Sequence, residues 1–180
     1  MNAVQRAVAL DPLSFWANRL LGSTLYYSRR YDESLVALKR ASEIAPDKFA
    51  FVEGWNSGIY EIEGRYSDAF EADLKDMASE FSPQDVDSFR SAFQTGGWNA
   101  YQEARVKFLL PRSMSECHMN PLAMSYLRLG KVDETFRWLN RDMDNRCGRT
   151  VFDLSADPRL DKIRQDPRFA ALRHRANLPH

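Results

Sequence analysis

The sequence predicts an all-α protein built from antiparallel helix pairs. The first observation is a recurring segment: YSRRYDESLVALKRA (27–41), EIEGRYSDAFEADLK (61–75) and LRLGKVDETFRWLNR (127–141). Each copy contains the end of one helix, a tight turn and the start of a second helix. The second observation is that no strand-like alternation of useful length occurs in the sequence. Recurring helix pairs without strands favour a stack of helical hairpins.

The turns between the paired helices are marked by the residues that occupy them. Gly64 and Gly130 stand at the turn in the second and third copies, and Arg29 stands there in the first. Glycine at the end of a helix suits a C-cap that needs a positive φ angle. Each recurring segment is therefore predicted to join two antiparallel helices.

The recurring unit resembles the tetratricopeptide repeat, a helix–turn–helix unit of about 34 residues with small and large residues at set positions. The first copy matches best, with Leu21, Gly22, Leu25, Ser34, Leu38, Ala41 and Pro46 in register, whereas Asn18 stands where the family prefers Trp. The third copy keeps Leu122, Ala123, Tyr126, Gly130 and Leu139. The resemblance implies a right-handed superhelical solenoid.

The second copy departs from the pattern at two positions. Tyr60, Gly64 and the pair Tyr66/Ala69 are kept. Ser57, however, replaces the first glycine, and Asp73 stands where a large apolar residue is expected.

The opening VQRAVALDP matches the end of a further unit, with Ala7 and Pro12 in register. This indicates a chain cut from a longer parent, or one that docks on another molecule at its N-terminal end, because a repeat cannot bury its apolar face alone.

Two further segments complete the expected stack. Ser82 or Asp85 can cap a helix that ends at Thr95–Gly97 and is followed by another helix. Near the C-terminus, Asp-Pro-Arg occurs twice, and in each copy Asp can be the N-cap and Pro the first helical residue. We expect one domain over 1–180, comprising the end of a truncated repeat (1–12), repeats (15–48, 50–80 and 116–147), a degenerate helical hairpin (82–111) and a C-terminal capping pair of short helices (156–177).

The C-terminal segment LSADPRLDKIRQDPRFAALRHRANLP also resembles the ending of a group of bacterial repeat proteins. In those, a tetratricopeptide array follows a signalling domain: a winged-helix DNA-binding domain, a nucleotide cyclase or a protein kinase. The resemblance implies a regulatory role, although none of those catalytic or DNA-binding parts is present in this sequence.

The composition narrows the classes of partner. The chain has 25 basic and 25 acidic residues, which argues against nucleic acid as the main ligand because such proteins usually carry a basic surplus. There is no signal-peptide pattern and no long apolar run, and the two cysteines form no disulfide framework, so we expect a cytoplasmic protein without membrane contact. Between residues 53 and 87 ten acidic residues face two basic ones, which indicates a solvated helix face or a surface that selects a basic partner.

We find no catalytic constellation in the sequence, and therefore expect neither an enzyme nor a cofactor. Cys117 and His118 are adjacent, which does not form the dyad that a nucleophilic cysteine needs. The segment MSECHMN (114–120) is better explained as the start of a helix than as a soft metal site. Five tail arginines (Arg159, Arg164, Arg168, Arg173 and Arg175) form either an anion-binding patch or a face with local ion pairs, and the second interpretation is favoured.

The first helix of each pair is expected to line a concave groove. Aromatic residues and arginine are the types that anchor interfaces, although aromatic residues at helical spacing also serve as core. The predicted partner-binding residues are Trp16, Arg19, Ser23, Tyr26, Tyr27, Phe51, Glu61, Asn120 and Arg128.

Two functions remain as hypotheses. The first is a non-catalytic interaction module that binds a peptide or a protein domain in this groove. The second is the C-terminal regulatory or sensor region of a bacterial signal-transduction or transcriptional regulator, acting on a domain of its own parent chain or sensing a small molecule. A second copy of the chain is a further candidate partner.

Overall fold

The structure, a computed structural model, describes residues 3–48, 50–77, 80–113, 119–146 and 149–178; the side chain of Phe51 lies outside this description. Within these residues every regular element is helical, which confirms the predicted all-α class. The α-helices are α1 (Ala3–Leu10), α2 (Phe15–Tyr27), α3 (Tyr31–Ile44), α4 (Ala50–Ile62), α5 (Tyr66–Asp76), α6 (Pro83–Leu109), α7 (Met119–Arg128), α8 (Val132–Asp144), α9 (Arg149–Ala156) and α10 (Pro167–Arg175). Short 3₁₀ segments follow α3, α6 and α9.

The chain divides into two compact units, Met1–Phe81 and Ser82–His180. In the N-terminal unit the neighbouring helices pack as the pairs α2/α3 and α4/α5, and in the C-terminal unit α7 packs against α8. The predicted packing of helices in sequence-adjacent pairs is therefore confirmed.

The core of the N-terminal unit is formed by large apolar side chains from three helices. Phe15 and Tyr26 of α2, Leu38 of α3 and Val52 and Ile59 of α4 are all buried in one cluster. Gly22 makes the α2/α3 approach possible, since a Cβ atom there would lie 2.6 Å from the Leu38 side chain. The small residue predicted at this position is thus a packing requirement.

Three turns share one backbone geometry. Arg29, Gly64 and Gly130 have φ angles of 60°, 73° and 70°. In each turn the residue that follows donates its backbone N–H to a carbonyl five positions earlier, at 2.8–2.9 Å: Arg30 to Leu25, Arg65 to Tyr60 and Lys131 to Tyr126. This is the Schellman arrangement that ends a helix with a left-handed residue. The predicted helix ends are confirmed, and Arg29 adopts the left-handed conformation without being glycine.

The C-terminal unit begins with the predicted hairpin. The Ser82 side chain and Asp85 form a reciprocal capping box at the start of α6. Gly97, with φ 63° and ψ −151°, interrupts this helix. The chain reverses at this break, because the Phe89 ring before it lies 5.7 Å from the Phe108 ring after it.

The capping segment follows the predicted chemistry. Asp157 and Asp166 each accept the backbone N–H of the arginine two residues later at 2.9 Å. The first Asp-Pro-Arg opens a 3₁₀ segment, Pro158–Ile163, and the second opens α10. Four apolar side chains of this segment are buried: Leu160, Ile163, Phe169 and Leu172.

Within the part of the chain that the structure describes, no helix is both long enough and apolar enough to cross a membrane. The structure does not describe most of the MSECHMN segment, including Cys117 and His118, so the interpretations of these residues stay predictions. Cys147 also lies outside the described residues.

Candidate functional site

An aromatic and cationic cluster is the most distinctive exposed feature of the N-terminal unit. The Arg19 guanidinium of α2 lies 4.5 Å from the Trp55 ring of α4 and 5.5 Å from the Trp16 ring. Both distances lie within the range of cation–π attraction. Trp16 nevertheless remains 53% exposed. A large aromatic side chain is thus held in place while much of its surface stays open to a partner.

Two further residues extend this cluster. The Nζ of Lys48, in the segment before α4, lies 5.7 Å from the Trp16 ring. The Trp55 indole N–H donates to the Tyr27 hydroxyl at 3.4 Å. We call the five residues Trp16, Arg19, Tyr27, Lys48 and Trp55 the aromatic–cation surface.

The electrostatics of this surface favour an acceptor or anion. Burial lowers the pKa of the Arg19 guanidinium, and the nearby Tyr27 hydroxyl offsets part of this effect. A half-buried guanidinium framed by rings is less hydrated than an ammonium group and presents planar donors to carboxylates or carbonyl oxygens. The aromatic–cation surface can therefore combine apolar contact with hydrogen-bond recognition.

Four of the predicted site residues are buried, and for them the prediction of partner contact is corrected. Tyr26 is 1% exposed, because its ring fills the space beside Gly58 of α4. Ser23 is turned back onto its own helix, donating to the Leu20 carbonyl at 3.0 Å. Glu61 is buried at the end of α4, and Asn120 donates to Thr150 inside the C-terminal unit at 3.1 Å.

The remaining five predicted site residues lie in different parts of the chain. Trp16, Arg19 and Tyr27 come together in the aromatic–cation surface, as described above. Arg128 lies in the C-terminal unit, where its guanidinium is 5.5 Å from the Trp98 ring. The Phe51 side chain lies outside the described part of the chain.

Lys48 and Trp55 were missed as site residues. Trp55 follows Arg19 by about one repeat length along the chain. The first helices of neighbouring repeats place such residues side by side, so this spacing could have identified Trp55. Lys48 lies in a connection, where the repeat pattern predicts no direction for a side chain.

The glycines of α4 serve helix packing. A Cβ atom at Gly58 would lie 2.9 Å from the Tyr26 hydroxyl, and one at Gly54 would lie 3.0 Å from the Asp76 carboxylate. This geometry indicates close helix approach, since both spaces are filled by the protein itself.

The two charged stretches are largely used in local contacts. In the acidic stretch, Asp73 is buried against Ser57 and Asp85 caps α6. The five tail arginines all donate to protein acceptors: Arg159 to Asp157, Arg164 to Asp161, Arg168 to Asp166 and Asp133, Arg173 to the Leu154 carbonyl and Arg175 to Asp144. These pairs support the interpretation of the tail as a face with local ion pairs.

One buried carboxylate has a perturbed pKa. Burial raises the pKa of Asp153 of α9 to about 6; Arg159 opposes this rise and Asp157 adds to it, with Arg149 and Asn120 also opposing. Perturbed carboxylates are candidates for chemistry when they line a cleft, but Asp153 is 3% exposed. Among the described residues no group of three or more His, Cys, Asp or Glu side chains is placed to hold a metal ion.

Comparisons with known proteins add no relative to this description. No family model, no curated protein and no solved structure matched the chain.

Proposed function

We propose that this protein is a non-catalytic interaction module of the tetratricopeptide type, which binds a peptide or a protein domain through the aromatic–cation surface. The observation that carries the proposal is the Arg19 guanidinium framed by Trp16 and Trp55 while Trp16 stays half exposed. Trp, Tyr and Arg are the residue types most enriched among interface hot spots.

The repeated turn geometry supports the tetratricopeptide part of the proposal. The left-handed residue occupies the same position in three helix pairs, and the Gly22–Leu38 packing matches the small and large positions of the repeat. A right-handed superhelical path is the expectation that comes with this family and belongs to the same proposal.

The charge of the chain supports a protein partner. Its zero net charge disfavours nucleic acid. The preference of Arg19 for an acceptor favours a partner segment that presents a carboxylate or backbone carbonyls next to an apolar side chain. A cytoplasmic location is part of the proposal.

The proposal is tested by selecting peptides from a random display library on the full chain and measuring their affinities for variants. We expect Trp16→Ala and Arg19→Ala each to weaken binding at least about tenfold, which corresponds to ~1.4 kcal/mol. Tyr66→Ala is the matched control, since Tyr66 of α5 is also an exposed aromatic residue, at 46%. Circular dichroism checks that each variant keeps its helical content.

Two results would contradict the proposal. One is a set of selected peptides that bind the Trp16→Ala and Arg19→Ala variants with unchanged affinity. The other is a set of selected peptides whose binding is weakened by Tyr66→Ala as much as by Trp16→Ala.

A further inference from the structure

A second exposed feature of the N-terminal unit lies between α2 and α3. It is a groove of about 420 Å³, and its apolar lining is formed by Leu21 and Leu25 of α2 and by Val36 and Ala37 of α3. Val36 is 71% exposed, the highest exposure of a large apolar side chain on α3. The remaining lining residues are Asn18, Asp32, Glu33 and Arg40, so that charged side chains flank the apolar strip. We call this feature the α2/α3 groove.

Four exposed charges of α3 are arranged symmetrically about Val36. Asp32 and Glu33 lie four and three residues before it, and Lys39 and Arg40 lie three and four residues after it. Residues three and four apart share one face of a helix. From Asp32 to Arg40 the exposed face of α3 is therefore acidic, then apolar, then basic, and the acidic Glu43 follows this stretch.

This order of charges is its own complement when the helix is reversed. If a second α3 lies antiparallel to the first with Val36 at the crossing point, Asp32 and Glu33 of one copy face Arg40 and Lys39 of the other. A parallel arrangement would instead bring like charges together, which costs free energy. A twofold axis generates such an antiparallel contact, because in a twofold dimer the same patch serves both copies.

We propose that the α2/α3 groove is an interface between two copies of this chain, related by a twofold axis that passes beside Val36. Burial of Val36 against its equivalent provides the apolar contact, and the reversed charges set the orientation. This surface is separate from the aromatic–cation surface and shares no residue with it.

The ion pairs already present on α3 do not oppose this arrangement strongly. Glu33 pairs with Arg30, and Arg40 lies 3.5 Å from Glu43. All four side chains are about half exposed, and exposed pairs of this kind contribute little to stability. They can exchange partners on dimer formation. The intermolecular pairs are also exposed at the rim, so added salt weakens the dimer by screening.

The first test is sedimentation equilibrium of the full chain over a wide range of concentrations. We expect the native chain to dimerise and Val36→Glu to stay monomeric at concentrations where the native chain is dimeric. Glu71→Arg on α5 is the matched control for a change of charge on an exposed helix face, and we expect it to dimerise like the native chain. A native chain that is monomeric throughout, or a Val36→Glu variant that dimerises normally, would overturn the proposal.

The second test uses the symmetry of the charges. Asp32→Arg and Arg40→Asp each place like charges together at both ends of the interface, and we expect each to weaken dimerisation about tenfold or more. The double variant Asp32→Arg/Arg40→Asp restores opposite charges, and we expect its dimerisation to return close to the native value. A helical double variant that stays as weak as the single variants would contradict the antiparallel orientation.

A third measurement does not depend on charge. In a background of Cys117→Ser and Cys147→Ser, Val36→Cys brings two thiols together at the axis, where we expect rapid cross-linking on mild oxidation. Glu71→Cys is the control for random collisions, and equal cross-linking of both variants would overturn the proposal. A chain that stays monomeric but loses capture of a different protein on Val36→Glu would assign the groove to that protein, and would overturn the dimer.

Discussion

At the scale of single residues, the second helix pair shows how two departures from a repeat pattern compensate each other. In the first pair, Leu38 covers Gly22 without room for a Cβ atom. At the corresponding positions the second pair has Asp73 and Ser57, and the Ser57 hydroxyl donates to the Asp73 carboxylate at 2.7 Å. Both side chains are buried. A small–large apolar contact is thus replaced by a hydrogen-bonded polar one.

This compensation predicts strong coupling between the two positions. Ser57→Gly removes a donor from a buried carboxylate and adds the cost of glycine inside a helix, so it should lower the free energy of unfolding by at least about 2 kcal/mol. Asp73→Leu removes the carboxylate that accepts the hydrogen bond of the Ser57 hydroxyl, and its larger apolar side chain crowds that hydroxyl. The double variant Ser57→Gly/Asp73→Leu restores the chemistry of the first pair. We expect its loss of free energy of unfolding to be at least ~1 kcal/mol smaller than the summed losses of the two single variants. Urea unfolding measures all three, and additive losses would contradict the compensation.

Asp153 predicts a pH dependence of stability. Its pKa of about 6 in the fold lies above the ordinary aspartate value of about 4. Its contribution to stability is therefore fully present below about pH 4 and is lost as the pH rises through about 6. The Asp153→Asn variant has no titrating group at this position. Between pH 4 and pH 7 its free energy of unfolding should therefore rise by about 2 kcal/mol relative to that of the native protein. Urea unfolding at both pH values tests this, and a constant difference would contradict it.

The site shows what sequence patterns predict about single residues and what they do not. Trp16, Arg19 and Tyr27 were predicted by residue type and helix position, and they lie together. Tyr26 is of the same type and adjacent to Tyr27, yet its ring contacts Gly58 in the core. The repeat position alone does not say which neighbouring helix covers a side chain, because this depends on the small residue that faces it.

At the scale of elements, local chemistry made the ends of helices predictable. Asp157 and Asp166 were predicted as caps from residue type and spacing, and Ser82 was one of two predicted candidates with Asp85. Each of the three accepts a backbone N–H at the start of its helix. A cap depends on groups within three residues of it, so the sequence contains the whole interaction. The turns are equally local, and there the three equivalent positions allow a controlled comparison.

The left-handed turns predict a difference between glycine and arginine at one structural position. Gly64→Ala and Gly130→Ala should each lower the free energy of unfolding by about 1 kcal/mol, because a Cβ atom is unfavourable at positive φ. Arg29→Ala is the control, since Arg29 already bears that cost at φ 60°, and we expect it to change stability by less than ~0.5 kcal/mol. Thermal unfolding of the three variants makes the comparison. Equal losses at all three turns would show that backbone strain is not what distinguishes them.

At the scale of the whole molecule, each compact unit buries large apolar side chains. The N-terminal core contains Tyr26, Leu38 and Ile59, and the C-terminal unit buries Leu122, Leu139 and Leu154 completely. The sequence predicted one domain from residue 1 to residue 180, because a repeat pattern describes each pair of helices and its neighbour. Such a pattern gives no information on how strongly neighbouring units cooperate in folding, so the single domain stays a prediction.

The four tryptophans allow this cooperativity to be measured in the intact chain. Trp16 and Trp55 lie in the N-terminal unit, and Trp98 and Trp138 lie in the C-terminal unit. One variant in which Trp98 and Trp138 are Phe, and one in which Trp16 and Trp55 are Phe, each report the unfolding of a single unit by fluorescence. Because the chain divides into two compact units, we expect two urea transitions with different midpoints, and far-UV circular dichroism should record both. Fragments 1–81 and 82–180 should each remain helical and unfold cooperatively, with midpoints close to those of the corresponding transitions. Coincident transitions in both variants, together with an unfolded fragment, would mean that the two units fold as one.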